Sequence, residues 1–224
     1  MDAKEFFGDW SKVIDFGILD NTLNTLGRIM STKEIGPAHT DLFKAFLCCP
    51  YNSLKVIILG QDPYPQKGVA TGVAFANSPE TLPSKYSPSL KVLYDAVQEY
   101  CTFDLPFSTI DELFPTLDNW SKQGVLLLNS ALSVEIGKPG SHALLWRPFI
   151  TSLLKNLQKE KKDLVFVLMG LQAQSFQQYL LNPKNIVPCP HPANIARNGG
   201  KLPDIFKKID DIMKAQGQDL IWWI

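Results

Sequence analysis

The sequence predicts one three-layer α/β/α domain around a central four-stranded parallel sheet, and three observations carry the prediction. Short apolar runs of strand length recur at 55–59, 125–128, 164–168 and 185–188. Helically spaced segments separate them, and strands alternating with helices imply parallel pairing through right-handed crossovers. The chain has 224 residues, 45% apolar and 20% charged, which is enough to bury a sizeable core as one unit. Residues 1–224 are therefore read as a single domain.

Each element has its own local reason. Residues 1–47 form a helical lead-in, with Leu19, Leu23, Leu26 and Met30 on one helical stripe. The first strand is an uninterrupted apolar run, and Gly60, Pro63 and Pro65 forbid its continuation. A helical pattern at 89–100 leads to the second strand, which stops at Asn129. A helix at 148–158 precedes the third strand, which ends in Met169 and Gly170. A helix at 172–181 precedes the fourth, which runs into Cys189, Pro190, His191 and Pro192, and a last helix covers 203–216.

Composition excludes several classes. No run of 18 apolar residues suggests a membrane span, and the first residues lack the basic and apolar regions of a secretory signal. A cytoplasmic protein is expected. Cys48, Cys49, Cys101 and Cys189 match neither a redox pair nor paired zinc ligands, so they are read as buried reduced thiols. Lysine plus arginine equals aspartate plus glutamate at 22 each, which argues against a broad DNA-wrapping surface. A local basic rim from Lys67, Lys138, Arg147, Arg197 and Lys201 remains compatible with zero net charge.

The strand ends carry the chemistry. Asp62 and Tyr64 sit just past the first strand, where open α/β sheets place their ligands. Asn129, Gly170 and His191 end the other three, so one shared pocket is expected. A metal centre on His191 and Asp62 lacks a third ligand at suitable spacing. A nucleophilic hydrolase lacks the GxSxG elbow, and no phosphate loop is present. What remains is a pocket for a planar ring: an aromatic face, an amide edge, a carboxylate and a histidine to meet developing charge.

Those residues carry a resemblance. Gly60-Gln61-Asp62-Pro63-Tyr64-Pro65 with Gly72-Val73-Ala74-Phe75, then Gly124 to Asn129, then His191-Pro192, are similar in order and spacing to the active-site motifs of family-1 uracil-DNA glycosylases. The resemblance implies a DNA repair enzyme that flips uracil from the stack and hydrolyses its N-glycosidic bond, with no metal or cofactor. It implies Asp62 for water and sugar-cation stabilisation and His191 for the uracil anion. Gln61, Tyr64, Phe75 and Asn129 would bind substrate: Phe75 stacks on the ring, Tyr64 excludes a methyl at C5, and Asn129 reads the N3 and O4 edge. A mispaired buried amide gives a polar site roughly 10⁴ to 10⁵ of discrimination. DNA contacts fall to Pro88, Ser89, Gly170, Pro192, Ile195 and Arg197, with Ile195 as the wedge that fills the vacated stack.

The implied partners are uracil-containing DNA, single- or double-stranded, and a DNA-mimicking protein inhibitor; a monomer away from membranes is implied. The chain departs from the family pattern at Leu171, Ala193 and Asn194, and the loop through Lys201 reads as flexible and basic. The other classes weighed are a glycosylase-fold DNA-binding or processivity module without catalysis, and a glycosylase for other damaged bases. Asp62, Asn129 and His191 together disfavour the first, and Tyr64 with Asn129 the second. Trp222 and Trp223 are read as a core plug, and His39 and His142 as structural or solvent-facing residues.

Overall fold

The computed structural model describes residues 2–101 and 114–223. Four strands, β2 (Val56–Gly60), β3 (Val125–Asn129), β5 (Val165–Met169) and β6 (Ile186–Cys189), form one sheet in the order β3-β2-β5-β6. All three neighbour pairs are parallel, as the strand and helix alternation predicts. Gly60 pairs with Asn129, Leu59 with Leu168 and Met169 with Cys189, so the four carboxyl ends share one rim.

Period-two alternation divides the strand residues between two cores. Val56, Ile58, Val125, Leu127, Val165 and Val167 face one cluster, closed by residues of the helices Pro88–Tyr100 and Ile205–Ala215. Ile57, Leu59, Leu126, Leu128, Phe166 and Leu168 face the other, which holds Leu19 and Leu26 of Phe16–Met30 and Trp146, Phe149 and Leu153 of Ala143–Glu160. Strands buried on both faces require helices on both, and this is the three-layer arrangement. Asp15 caps Phe16–Met30 by accepting from the Ile18 N–H at 3.1 Å, and Asp204 caps Ile205–Ala215 through the Lys207 N–H at 2.9 Å.

Several local readings need correction. The lead-in contains the helices Ala3–Phe7, Phe16–Met30 and Lys44–Cys48, but also strand β1 (Ile35–Gly36), which pairs antiparallel with β4 (Val134–Glu135). Two-residue strands are too short for a periodic signal. The helix expected from Pro148 begins at Ala143 and carries Pro148 inside it, where the proline is exposed and leaves one carbonyl without its helical N–H partner. The helix expected at 172–181 breaks into Gly170–Gln174 and a 3-10 turn at Gln177–Tyr179. There Ser175 Oγ donates to the Gln172 carbonyl at 2.7 Å and accepts from Arg147 Nη1 at 2.9 Å, anchoring the break. The segment after His191, read as a loop, is the helix Pro192–Asn198, so of the stretch Arg197 to Lys201 read as flexible only Gly199, Gly200 and Lys201 lie outside a regular element.

The carboxyl-terminal plug holds for one tryptophan. Trp223 is buried against Trp120 and Phe206, with ring centroids 5.2 Å away in each case, and its Nε1 donates to Asp210. Trp222 is exposed, while its main chain pairs with Gln123. The four cysteines are free; Cys49 and Cys189 are buried, and burial pushes both thiols up to about 12. Cys48 and Cys101 are only partly buried. Among the described residues no helix is long and apolar enough to cross a membrane.

Candidate active site

The rim of strand carboxyl ends opens into a cavity of about 770 Å³ lined by Gln61, Asp62, Tyr64, Phe75, Asn129, Gly170 and His191, among others. The expected convergence of four strand ends is therefore realised. At Gly60, the last residue of β2, an added Cβ would lie 2.6 Å from Asn129 Oδ1 and 2.8 Å from Phe75 Cζ. Only a residue without a side chain lets the amide and the ring meet at this register position. Phe75 has φ of 67°, a left-handed conformation that an aromatic residue adopts only under constraint. The constraint is visible: Tyr64 Oη donates to the Phe75 carbonyl at 2.8 Å, and the Ala74 N–H is held by the Leu127 carbonyl.

Asp62 is partly buried, and burial raises its carboxyl above the ordinary range. Hydrogen bonds from the Gly140 N–H, 2.6 Å from Oδ2, and from the Gln61 side chain oppose that rise. Gly140 is 78 residues away and is delivered by the β1–β4 ribbon, whose following turn is tied back by the Gly137 N–H to the Pro65 carbonyl at 2.9 Å. No sequence pattern marked Gly140. The Gln61 carbonyl accepts from the Ala131 N–H and the Ser130 hydroxyl, fixing the turn that presents Asp62.

His191 caps its own helix: Nδ1 accepts from the Ala193 N–H at 3.1 Å. The ring is then a neutral imidazole carrying its proton on Nε2. Burial, with Arg197 nearby, pushes its pKa down to about 4, so neutrality holds at physiological pH. Gly170, at φ of 85°, packs so closely that a Cβ there would lie 2.7 Å from His191 Cβ. The imidazole and the Phe75 ring lie 5.9 Å apart, centroid to centroid. Among the described residues neither His191 Nε2 nor the Asn129 amide has a protein hydrogen-bond partner, so both are free to meet a ligand.

The outer contacts fare differently. Pro88 is exposed at the first turn of its helix, and Arg197 is exposed at the pocket mouth, bonded to the Ala193 carbonyl and Asn194 Oδ1. Ser89 lines the pocket but is 4% exposed. Pro192 is buried as the first residue of its helix and is absent from the pocket wall. Ile195 is 8% exposed and belongs to the core cluster beside Leu90 and Leu93, so in this structure it is packed inward rather than presented at the pocket mouth. A helix rather than a loop after His191 turns that side chain inward.

The basic rim is also smaller than expected. Lys67 pairs with Glu34, Lys138 with Glu135 and Lys201 with Glu99, and the Arg147 guanidinium sits 4.6 Å from the centroid of Phe176 on another face. Lys85, which the sequence reading passed over, lines the mouth beside Ser87 and Pro88. His142 is structural: buried Ser133 joins it to Trp146 through two 2.8 Å contacts. Among the described residues no cluster of three histidine, cysteine, aspartate or glutamate residues could hold a metal.

Comparison with known proteins follows the same geometry. A family model described as the uracil DNA glycosylase superfamily matches residues 48–214. A uracil-DNA glycosylase of Campylobacter lari is 37% identical over 85% of this chain and 80% of its own length. That of Campylobacter jejuni is 36% identical over 99% and 92%. Among solved structures, a mimivirus UNG variant in complex with UGI superimposes with a TM-score of 0.75 at 25% identity, covering 92% of this chain and 82% of that one. The mimivirus uracil-DNA glycosylase gives 0.71 at 22%, covering 100% and 93%.

Proposed function

Because the chain belongs to the uracil-DNA glycosylase superfamily, we propose that the pocket at its sheet rim holds an extrahelical uracil, with Asp62 and His191 as its catalytic pair. The protein is a uracil-excising DNA repair glycosylase, a hydrolase acting on N-glycosyl bonds. The assignment of residues rests on one observation. An unpartnered amide, an aromatic face, a neutral imidazole and a carboxylate line the same cavity.

Phe75 stacks on the uracil ring, and Asn129 accepts from N3–H and donates to O4. Cytosine reverses both groups and leaves the amide facing two mismatched partners. Tyr64, pinned through its hydroxyl to the Phe75 carbonyl, supplies a wall at C5 that leaves no room for the methyl of thymine.

Cleavage gathers negative charge on the departing uracil and positive charge on the sugar. His191 Nε2–H donates to O2 as that charge develops, and the neutral ring does so without first releasing a proton. The Asp62 carboxylate, oriented by the Gly140 N–H, favours the sugar cation and positions the attacking water. Gln61 completes that turn. The helix that opens at Pro88 and Ser89, the Gly170 turn, Lys85 and Arg197 surround the mouth and meet phosphates. A DNA-mimicking inhibitor would read the same mouth; two mimivirus UNG variants have been solved in complex with UGI.

The test is release of free base from single-stranded oligonucleotides carrying uracil, thymine or cytosine, with chelator present, for the wild type and Asn129→Asp. The wild type should release uracil alone, and the variant should gain cytosine release while losing uracil. Binding without any release by the wild type would replace this reading with that of a binding module.

A further inference from the structure

Resting on the reading of Tyr64 as the wall beside C5 of uracil, we propose that Asn77 and Ser87 are positioning residues for base selection, holding the Tyr64 ring in place through a directed chain of hydrogen bonds. Asn77 is a buried polar side chain that no step of the reaction uses: it is 5% exposed and is not part of the cavity wall. A buried amide must satisfy its donors and acceptor or cost stability. Asn77 does so on a single residue. Oδ1 accepts from the Ser87 N–H at 2.8 Å and Nδ2 donates to Ser87 Oγ at 2.7 Å, while the Asn77 N–H donates to the Pro115 carbonyl at 2.8 Å. Two bonds from one planar group fix both the backbone and the hydroxyl of Ser87.

The hydroxyl proton then has one direction left. Ser87 is the cap residue of Pro88–Tyr100 and lines the pocket, yet its side chain makes no capping bond to the helix. Having accepted from Asn77, Oγ donates to Tyr64 Oη, and the Leu90 N–H, which a capping serine would ordinarily take, donates to the same phenol oxygen. Tyr64 Oη in turn donates to the Phe75 carbonyl at 2.8 Å. The phenol thus uses both lone pairs and its proton, and the chain from Asn77 through Ser87 and Tyr64 closes at Phe75, two residues before it began. Tyr64 lies between Pro63 and Pro65 outside any regular element, so these bonds set how near its ring stands to C5. One extra carbon in a close pocket is worth about 10- to 200-fold in discrimination, a margin that shrinks once the wall can retreat.

The test separates size from leaving-group strength. 5-Fluorouracil and 5-bromouracil both leave more readily than uracil, but fluorine is near hydrogen in size and bromine near methyl. The ratio of their kcat/KM values in single-stranded oligonucleotides therefore reads the room at C5. Ser87→Ala and Asn77→Ala should each raise the bromo-to-fluoro ratio by about ten-fold or more, towards that of Tyr64→Ala, and Ser87→Thr, which keeps the hydroxyl, should stay within about three-fold of wild type. A ratio for Ser87→Ala within about two-fold of wild type, even where both rates fall together, would overturn the proposal and leave the pair a structural role. So would a Ser87→Thr ratio as high as that of Ser87→Ala. Where Asn77→Ala does not fold, the serine variants decide alone. A Tyr64→Ala ratio equal to wild type would instead overturn the reading of Tyr64 as the C5 wall.

Discussion

Replacing Gly60 by alanine tests how the pocket is built. The new Cβ would stand 2.6 Å from Asn129 Oδ1 and 2.8 Å from Phe75 Cζ, whereas ordinary contact begins at 3.4 Å. The amide must retreat by about 0.8 Å and the ring by about 0.6 Å, because repulsion rises steeply inside contact distance. Gly60 and Asn129 are register partners, so relief comes from side chains moving into the cavity rather than from the strands parting. Misplacement near 1 Å costs on the order of 100-fold in rate. Overpacking beside open space should cost only about 1 kcal/mol of stability. Steady-state kinetics on a single-stranded uracil oligonucleotide, with thermal unfolding alongside, should show kcat/KM reduced about 100-fold in a protein that melts within a few degrees of wild type. Gly27→Ala is the control: nothing lies within 4 Å of its added Cβ and it sits inside Phe16–Met30, so activity should not change. A Gly60→Ala enzyme within about three-fold of wild-type kcat/KM would refute the argument that this close approach shapes the base-reading edge.

The carboxylate offers a second prediction. Asp62 has a raised folded-state pKa, so its ionisation disfavours folding as pH rises above the ordinary 3.8; Asp62→Asn should therefore melt higher at pH 7 while kcat falls by about 100-fold or more. Unaltered kcat would remove Asp62 from the chemistry. For His191, whose folded pKa of about 4 lies below the ordinary 6.5, the unfolded chain takes up its proton first as pH falls. Its stabilising effect is complete above pH 6.5 and is lost between there and about 4, amounting to at most about 3 kcal/mol and less after allowance for its partial exposure. His191→Gln should flatten that part of the stability profile, and an equally steep profile in the variant would show that other groups produce it. Arg197→Ala should weaken DNA binding and reduce the salt slope by about one unit. An unchanged slope in a binding titration would show that Arg197 meets no phosphate.

Legibility differed between the inner and outer parts of the site. Asp62, Tyr64, Asn129 and His191 were readable because each terminates an apolar strand, and strand ends are marked by the residues that stop them. Phe75 was not readable that way and came from the family motif. The inward packing of Ile195, the ion pairing of the basic residues and the role of Gly140 were not marked, since each depends on partners distant in the chain. Lys67, Lys138 and Lys201 look free in the sequence and are neutralised by Glu34, Glu135 and Glu99. Helix ends went astray where a proline was accommodated at Pro148 or a side chain anchored the backbone at Ser175.

The sequence by itself determined the parallel sheet and the identity of the groups at its rim, because hydrophobic periodicity and strand-breaking residues are local properties. Only the tertiary structure decided which of those groups face the cavity, what orients them and which apolar side chain stays in water. Asp62 is held by an N–H 78 residues away, Asn129 and Phe75 meet over a glycine, and Ile195 turns inward while Leu171 does not. Those outcomes follow from how helices dock on the sheet, and docking depends on surfaces that the chain assembles only when folded.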